Sequence, residues 1–297
     1  MKKMLFLIVG ILAVSCSNND PVYEPYLNLD EPFDPGAHAI SYTITQKYYD
    51  EEDENYQTDK LYFSGEKLIF FQYNDGSYSK YTYTNNLVSE IQNYDARRVM
   101  ATTTKLAYDS AGRIIDFQEM PFSDKSIVAK KITFAYSADK ITATVTTSPV
   151  VSTKTYEFKL DANNQIISYN DDEVFDYENG NLAAVSKSNA KITYSAIKND
   201  NSYKKDLLGK EWKQNNFLLN LLGLKVTNRL YMFEGETSEN LIASSTTILD
   251  DDSVYDMVVD YEFNSQNKLV KETRKHSETI EGETTDVERS EFIYEYK

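Results

Sequence analysis

The chain has 297 residues and carries 47 Asp and Glu against 31 Lys and Arg, a formal net charge of −16. That balance repels nucleic acid and anionic membrane surfaces, and no basic patch offsets it. A single cysteine excludes an intramolecular disulfide, while 24 Tyr and 14 Phe against 10 Gly and 6 Pro favour half-buried strands.

Residues 1–15 read as a secretory signal peptide. Lys2 and Lys3 form a basic start, Met4 to Leu12 an apolar core, and Ala13-Val14-Ser15 a run of small residues before Cys16. The apolar run is well short of the roughly 20 residues that a spanning helix needs. The arrangement resembles the bacterial lipobox, which implies that Cys16 is the lipid attachment residue of an exported protein. Residues 16–37 then form the lipid anchor and a Pro-rich tether. Pro21, Pro25, Pro32 and Pro35 fall there, removing backbone donors and favouring extended chain.

Residues 38–297 read as a single β-meander domain. Tyr255, Met257, Val259, Tyr261 and Phe263 alternate with Asp256, Val258, Asp260 and Glu262. Tyr156-Phe158-Leu160, Phe292-Tyr294-Tyr296 and Ile132-Phe134-Tyr136 repeat the pattern. Period two with one apolar face predicts antiparallel strands with one buried side. The turns repeat too: an aromatic or leucine leads in, polar residues turn, and an aliphatic leads out. Tyr108-Asp109-Ser110-Ala111-Gly112-Arg113-Ile114 and Tyr177 to Leu182 are the clearest copies. Phe63 to Leu68, Tyr83 to Leu87, Tyr136 to Ile141, Leu160 to Ile166 and Phe263 to Leu269 are looser ones. Exit residues from 68 to 182 lie 16 to 27 apart, one hairpin per unit. Residues 203–224 break the pattern. Leu207, Leu208, Trp212, Leu219 and Leu222 lie near helical spacing, and Gly223 supplies a stop.

The segment Tyr108 to Ile114 resembles the YD repeat of Rhs-type proteins. Taken with Cys16, the seven turns and the stretch Lys191-Ile192-Thr193-Tyr194-Ser195 leading to Asn216-Phe217-Leu218-Leu219, the chain resembles an uncharacterised family of Bacteroidota-type lipoproteins. That resemblance implies YD-like hairpins, a porin-like fold and an export route, and it carries over no catalytic residue. Asp256, Asp260 and Glu262 share one side of their strand, which does not suit a lipid-facing wall. The expected fold is therefore all-β: an antiparallel meander curled into a soluble barrel or strongly curved sheet, with a short helical insertion near 203–224.

Little points to chemistry. His38 and His276 lie far apart, and His276, after Arg274 and Lys275, is expected on a wet strand face. No Gly-x-Ser-x-Gly elbow or glycine-rich phosphate loop is present. The acidic runs 50–54, 171–173 and 250–252 lack EF-hand spacing, as does 161–165, where Ile166 takes the glycine position. No catalytic, cofactor or metal residue is assigned. The apolar stretch 217–224 has two readings: a plug burying Phe217, Leu219, Leu221 and Leu222, or the wall of a lumen near Trp212 and Phe217 that carries an apolar ligand. The leading expectation is a monomeric, non-enzymatic lipoprotein of the bacterial outer membrane, facing the cell surface or the periplasm. It would bind a glycan, peptide or protein partner and no nucleic acid. Carriage of an apolar ligand is the alternative, and a carboxylate-dependent glycoside hydrolase a weaker one.

Overall fold

The structure, a computed structural model, describes residues 39–50, 53–121, 127–186, 189–198, 208, 212–224, 238–249 and 253–297. Eighteen strands follow in order: β1 (Tyr42–Asp50), β2 (Asp53–Ser64), β3 (Lys67–Gln72), β4 (Tyr78–Thr84), β5 (Leu87–Tyr94), β6 (Met100–Tyr108), β7 (Ile114–Pro121), β8 (Lys130–Tyr136) and β9 (Lys140–Thr147). The second half comprises β10 (Ser152–Leu160), β11 (Ile166–Tyr169), β12 (Glu173–Glu178), β13 (Asn181–Val185), β14 (Ala190–Lys198), β15 (Asn240–Ile248), β16 (Val254–Phe263), β17 (Leu269–Ile280) and β18 (Glu283–Tyr296). Among the described residues one helix, α1 (Trp212–Leu221), lies between β14 and β15.

Each strand pairs antiparallel with the next, and β18 pairs with β1 from Tyr42↔Tyr296 to Asp50↔Glu288. The sheet is thus a closed antiparallel barrel, and closure removes every edge. All seven predicted turns are even-to-odd connections, so they gather at one end of the barrel. Ser41 and Lys297 lie at that end as well: the Ser41 amide donates to the Phe63 carbonyl at 2.8 Å, and the Lys297 amide to the Ser41 carbonyl at 2.9 Å.

The repeat has a physical basis at this end. The ladder register shifts immediately before Phe63, Tyr83, Tyr108, Leu160, Tyr177, Tyr194 and Phe263. At each shift the partner strand carries one extra residue, such as Ile69 opposite Tyr62 and Phe63 and Ile115 opposite Ala107 and Tyr108, which re-aims the side chains beside it. The tyrosines then reach back one repeat. The Tyr83 hydroxyl donates to the Leu68 carbonyl, Tyr136 to Ile114, Tyr177 to Ile166, Tyr194 to Leu182 and Tyr296 to Leu269, at 2.6 to 3.1 Å. A cation covers three of these rings: Lys67 over Tyr83, Arg113 over Tyr136 and Lys268 over Tyr296. The exit residues Leu68, Ile114, Ile141, Ile166, Leu182 and Leu269 are buried. In the Tyr83 copy the buried inner residue is Val88, one beyond the expected Leu87, because Thr84 pairs with Leu87 across the Asn85-Asn86 turn.

A ring of 18 strands leaves a lumen wider than wall side chains alone fill. Here the insertion fills it. Leu208, Phe217, Leu218, Leu219 and Leu224 join the same buried cluster as the inner faces of the strands. Phe217 meets Phe175 edge-on at 4.9 Å. Leu221 and Leu222 pack against the cluster while half-buried, so the plug predicted for this stretch is present. Gly223 ends the helix at φ 64°, with the Gly223 amide on the Asn220 carbonyl and the Leu224 amide on that of Leu219.

Asn215 fastens the plug to the wall. Its side-chain oxygen accepts the Ile114 amide at 3.0 Å, and its nitrogen donates to the Gly112 and Leu208 carbonyls. Gln214 donates to the Asn164 carbonyl, and Lys213 pairs with Glu239. Glu239 in turn packs over Gly180, where a Cβ would come within 2.6 Å of its Cγ. We expect Asn215→Leu to destabilise the fold by about 2–4 kcal/mol in urea unfolding, since it removes the partner of three backbone groups, two of them in buried bonds. Tyr136→Phe, which removes one hydrogen bond, should cost about 1 kcal/mol in the same assay.

Candidate functional site

The two ends of the barrel differ in chemistry. Near the plug the inner face is aliphatic and aromatic, with Phe63, Ile114, Ile132, Ile141, Phe158 and Leu182 fully buried. Toward the far end it turns polar on one arc of wall. Glu272, Arg274, His276 and Glu278 alternate along β17 and pair with Tyr261, Val259, Met257 and Tyr255, the inward residues of β16. Register carries the arc onward through Ser290 and Glu288 of β18, Gln46 and Tyr48 of β1 and Asp59 of β2. Asp59 is fully buried and accepts the Asn74 amide at 2.9 Å. Ser79 of β4 donates to Asn93 of β5 at 2.6 Å, and Asn93 donates to Thr102 of β6 at 2.9 Å.

One pair of opposite charges on this arc is matched directly. Arg274 Nε lies 2.6 Å from Glu272 Oε1, and its guanidinium sits 4.9 Å from the centre of the Phe292 ring. Burial opposes the Arg274 charge, but Glu272, with Tyr261 and Tyr294 adding to it, offsets that cost and raises the guanidinium above its ordinary range. Tyr261, buried and facing Glu272, is held far above the usual phenol range, first by desolvation.

His276 overturns the expectation of a wet strand face. It is 5% exposed and points inward opposite Met257, with the Tyr255 ring centre 5.5 Å away. Its Nδ1 has no hydrogen-bond partner. The error has a plain cause. Both faces of β17 are polar, so alternation does not say which face turns inward. Desolvation, then the nearby Arg274 charge, pushes the imidazole down to about 4.

The far end has a second feature. Val99, Ile127, Val150, Val151 and Leu249 lie in its hairpin connections, Ile248, Ile280 and Val174 lie within two residues of one, and all are exposed, Val150 and Val151 at 79% each. They account for eight of the twelve large apolar side chains exposed among the described residues. Single exposed aliphatics are ordinary, but a concentration at one end is not. The sequence signal was present as Val150-Val151 and Ile248-Leu249 at turn positions, where polar residues are the rule.

The remaining candidates sort simply. Cys16, His38 and the run 250–252 lie outside the described residues, as do Glu51 and Glu52 of the run 50–54. Asp161 accepts the Asn163 and Gln165 amides, so its carboxylate braces its own turn. Asp171 pairs with Lys159 at 2.5 Å. Among the described residues no group of His, Cys, Asp and Glu is placed to hold a metal ion. The outer wall shows Lys80, Lys105, Lys131, Asp260 and Glu262 to solvent. A cation at the midplane of a lipid-facing wall costs about 2–4 kcal/mol, so this wall does not suit lipid.

No known protein family and no curated protein matches the sequence. Among solved structures the chain is similar to a porin-like protein from Bacteroides uniformis ATCC 8492, at 12% identity and TM-score 0.34, over 90% of this chain and 99% of that one. It is also similar to chains of the TcdB2-TccC3-Cdc42 and TcdB2-TccC3-TEV structures, at 12% identity and TM-scores of 0.27 and 0.28. Those matches cover 80% and 82% of this chain but only 15% and 14% of the larger ones.

The inward histidine yields a pH signature. Its folded pKa of about 4 lies below the unfolded 6.5, so the unfolded chain takes up the proton first. The stability tied to neutral His276 is complete above pH 6.5 and is lost as pH falls toward 4, amounting to ~3 kcal/mol at the acid limit. Urea midpoints of wild type and His276→Gln between pH 7.5 and 4.5 should diverge by that dependence. Parallel profiles would show the imidazole to be solvated.

Proposed function

We propose that the chain is an exported, lipid-anchored protein of the bacterial cell envelope that works as a non-enzymatic binding module. On this reading Cys16 carries the lipid, the segment to residue 37 is the tether, and the barrel docks a partner at its far end. The YD-like turns at the opposite end would belong to the lipoprotein family the sequence resembles.

The observation that carries the proposal is the apolar rim of the far end, at six of the nine connections there. The first laddered residues sit at the plugged end, next to Phe63 and Lys297. The rim is built of Val, Ile and Leu. Glycans stack on aromatic faces, whereas burial of aliphatic side chains is the ordinary core of a protein contact. The partner class is therefore a protein or peptide. The apolar interior favours this reading over carriage of an apolar ligand, because Phe217 and its neighbours occupy that space themselves.

Two measurements test the reading. Native gels of detergent-solubilised envelopes should show the protein in a complex that Val150→Asp with Val151→Asp disrupts and Ser110→Asp, at the plugged end, leaves intact. A wild-type protein that runs alone defeats the binding module. Protease treatment of intact cells should release the barrel, and Cys16→Ala should abolish its retention on membranes. Cleavage only after the envelope is opened would place the module on the periplasmic side.

A further inference from the structure

The inner column of β17 joins the polar arc to the apolar rim. Arg274, His276, Glu278 and Ile280 take successive inward positions, about 7 Å apart. Ile280 stands exposed at the rim. Below it Glu278 is half-buried opposite Tyr255. His276 is buried next in line, with Met257 across one ladder and half-buried Glu288 across the other. Deepest of the four, Arg274 is matched by Glu272.

This leaves an inward negative surplus. Arg274 is the one cation that β15 to β18 and β1 turn into the lumen. Lys271 and Lys275 pair with Glu291 and Asp260 on the outer face, Arg289 covers the outward Tyr49 ring, and Lys47 lies on that face opposite Glu291. Glu278 and Glu288 therefore flank His276 with no inward cation of their own. Independently of charge, the His276 Nδ1 is buried without a hydrogen-bond partner. A buried polar atom in that state is costly until a partner reaches it. Among the described residues no His and carboxylates are placed to share a metal ion, so the partner that suits them is a larger cation.

We propose, building on the docking role of the far end, that this column receives a lysine side chain of the docked protein or peptide. The aliphatic stem lies along Ile280 and Tyr255. The ammonium carries three donors for three acceptors: Glu278, Glu288 and the imidazole. Desolvation and Arg274 keep that imidazole neutral at pH 7, so one of its nitrogens can accept. The Tyr255 ring, centred 5.5 Å from that of His276, adds an aromatic face for the cation. A guanidinium fits less well, because it calls for a planar pair of acceptors, whereas these rise from two strands.

The test uses the purified full-length protein with isotope-labelled histidine rings. Its two imidazole signals are assigned with His276→Gln. Nα-acetyl-lysine methylamide should shift the His276 signal saturably, and Nα-acetyl-norleucine methylamide, which lacks the ammonium, should not. Glu278→Gln should weaken binding of the lysine amide about tenfold without moving the urea midpoint. A His276 signal that ignores the lysine amide overturns the receptor, as does undiminished binding when Glu278→Gln is combined with Glu288→Gln. Equal binding of Nα-acetyl-arginine methylamide overturns the choice of lysine. The native gels separate this site from the docking face. A complex that persists while the lysine amide fails to bind removes the receptor alone. Saturable binding to a protein that runs alone keeps the receptor and removes the docking face.

Discussion

The fold depends on one ladder, the pairing of β18 with β1. Without it the chain is an open meander with two bare edges. With it there is no edge, but 18 strands then surround a space that their own side chains cannot fill. The rest of the structure answers that difficulty. The insertion carrying α1 fills the plugged end, and Asn215 ties it to the Gly112 to Ile114 turn. The far end is lined instead with groups that can stand near water, and its buried arginine is matched by Glu272. A dry, strongly apolar end and a polar end are two solutions to one problem of volume.

The repeat unit holds the ring at the level of the turns. An extra residue on the outgoing strand accompanies most of the leading aromatics, and in five copies the tyrosine hydroxyl closes on the exit carbonyl of the preceding hairpin. A cation from the exit side covers the ring in three copies. Tyrosine is chosen over phenylalanine where the hydroxyl has this work. Tyr108 is the exception: its hydroxyl is buried with no partner, and desolvation raises its pKa strongly. Phe63 and Phe263 lead turns in which no such bond forms.

Much of this was legible in the sequence. Alternation identified the inward set of β16, and Asn and Gly at turn positions located the hairpins. Gly223 marked the helix end, and the leucines around Phe217 marked a plug. What was not legible has a common cause: it depends on pairings distant in sequence. Ring closure joins residues about 250 positions apart, as in the Thr43 bond to Glu295. The inner face of β17 is set by its neighbour, not by its own residues. The outward aromatic cluster of Tyr62 and Phe70 was hidden because Phe70 and Phe71 are adjacent and similar, and only their cross-strand partners, Tyr62 for Phe70 and Leu61 for Phe71, say which of the two turns inward.

Closure through the last strand bears on how the molecule is made. Synthesis delivers residues in order, and the partner of β1 is the last of the eighteen strands to arrive. Until then β1 waits with one side unpaired, and the growing end of the sheet offers a second bare edge. Each is a template for another chain. A truncated product lacking Glu283–Tyr296 would keep both edges permanently while losing little of the apolar interior. Such fragments are expected to accumulate as joined chains or to be degraded, which makes the integrity of the 14 residues of β18 a checkpoint for the whole barrel.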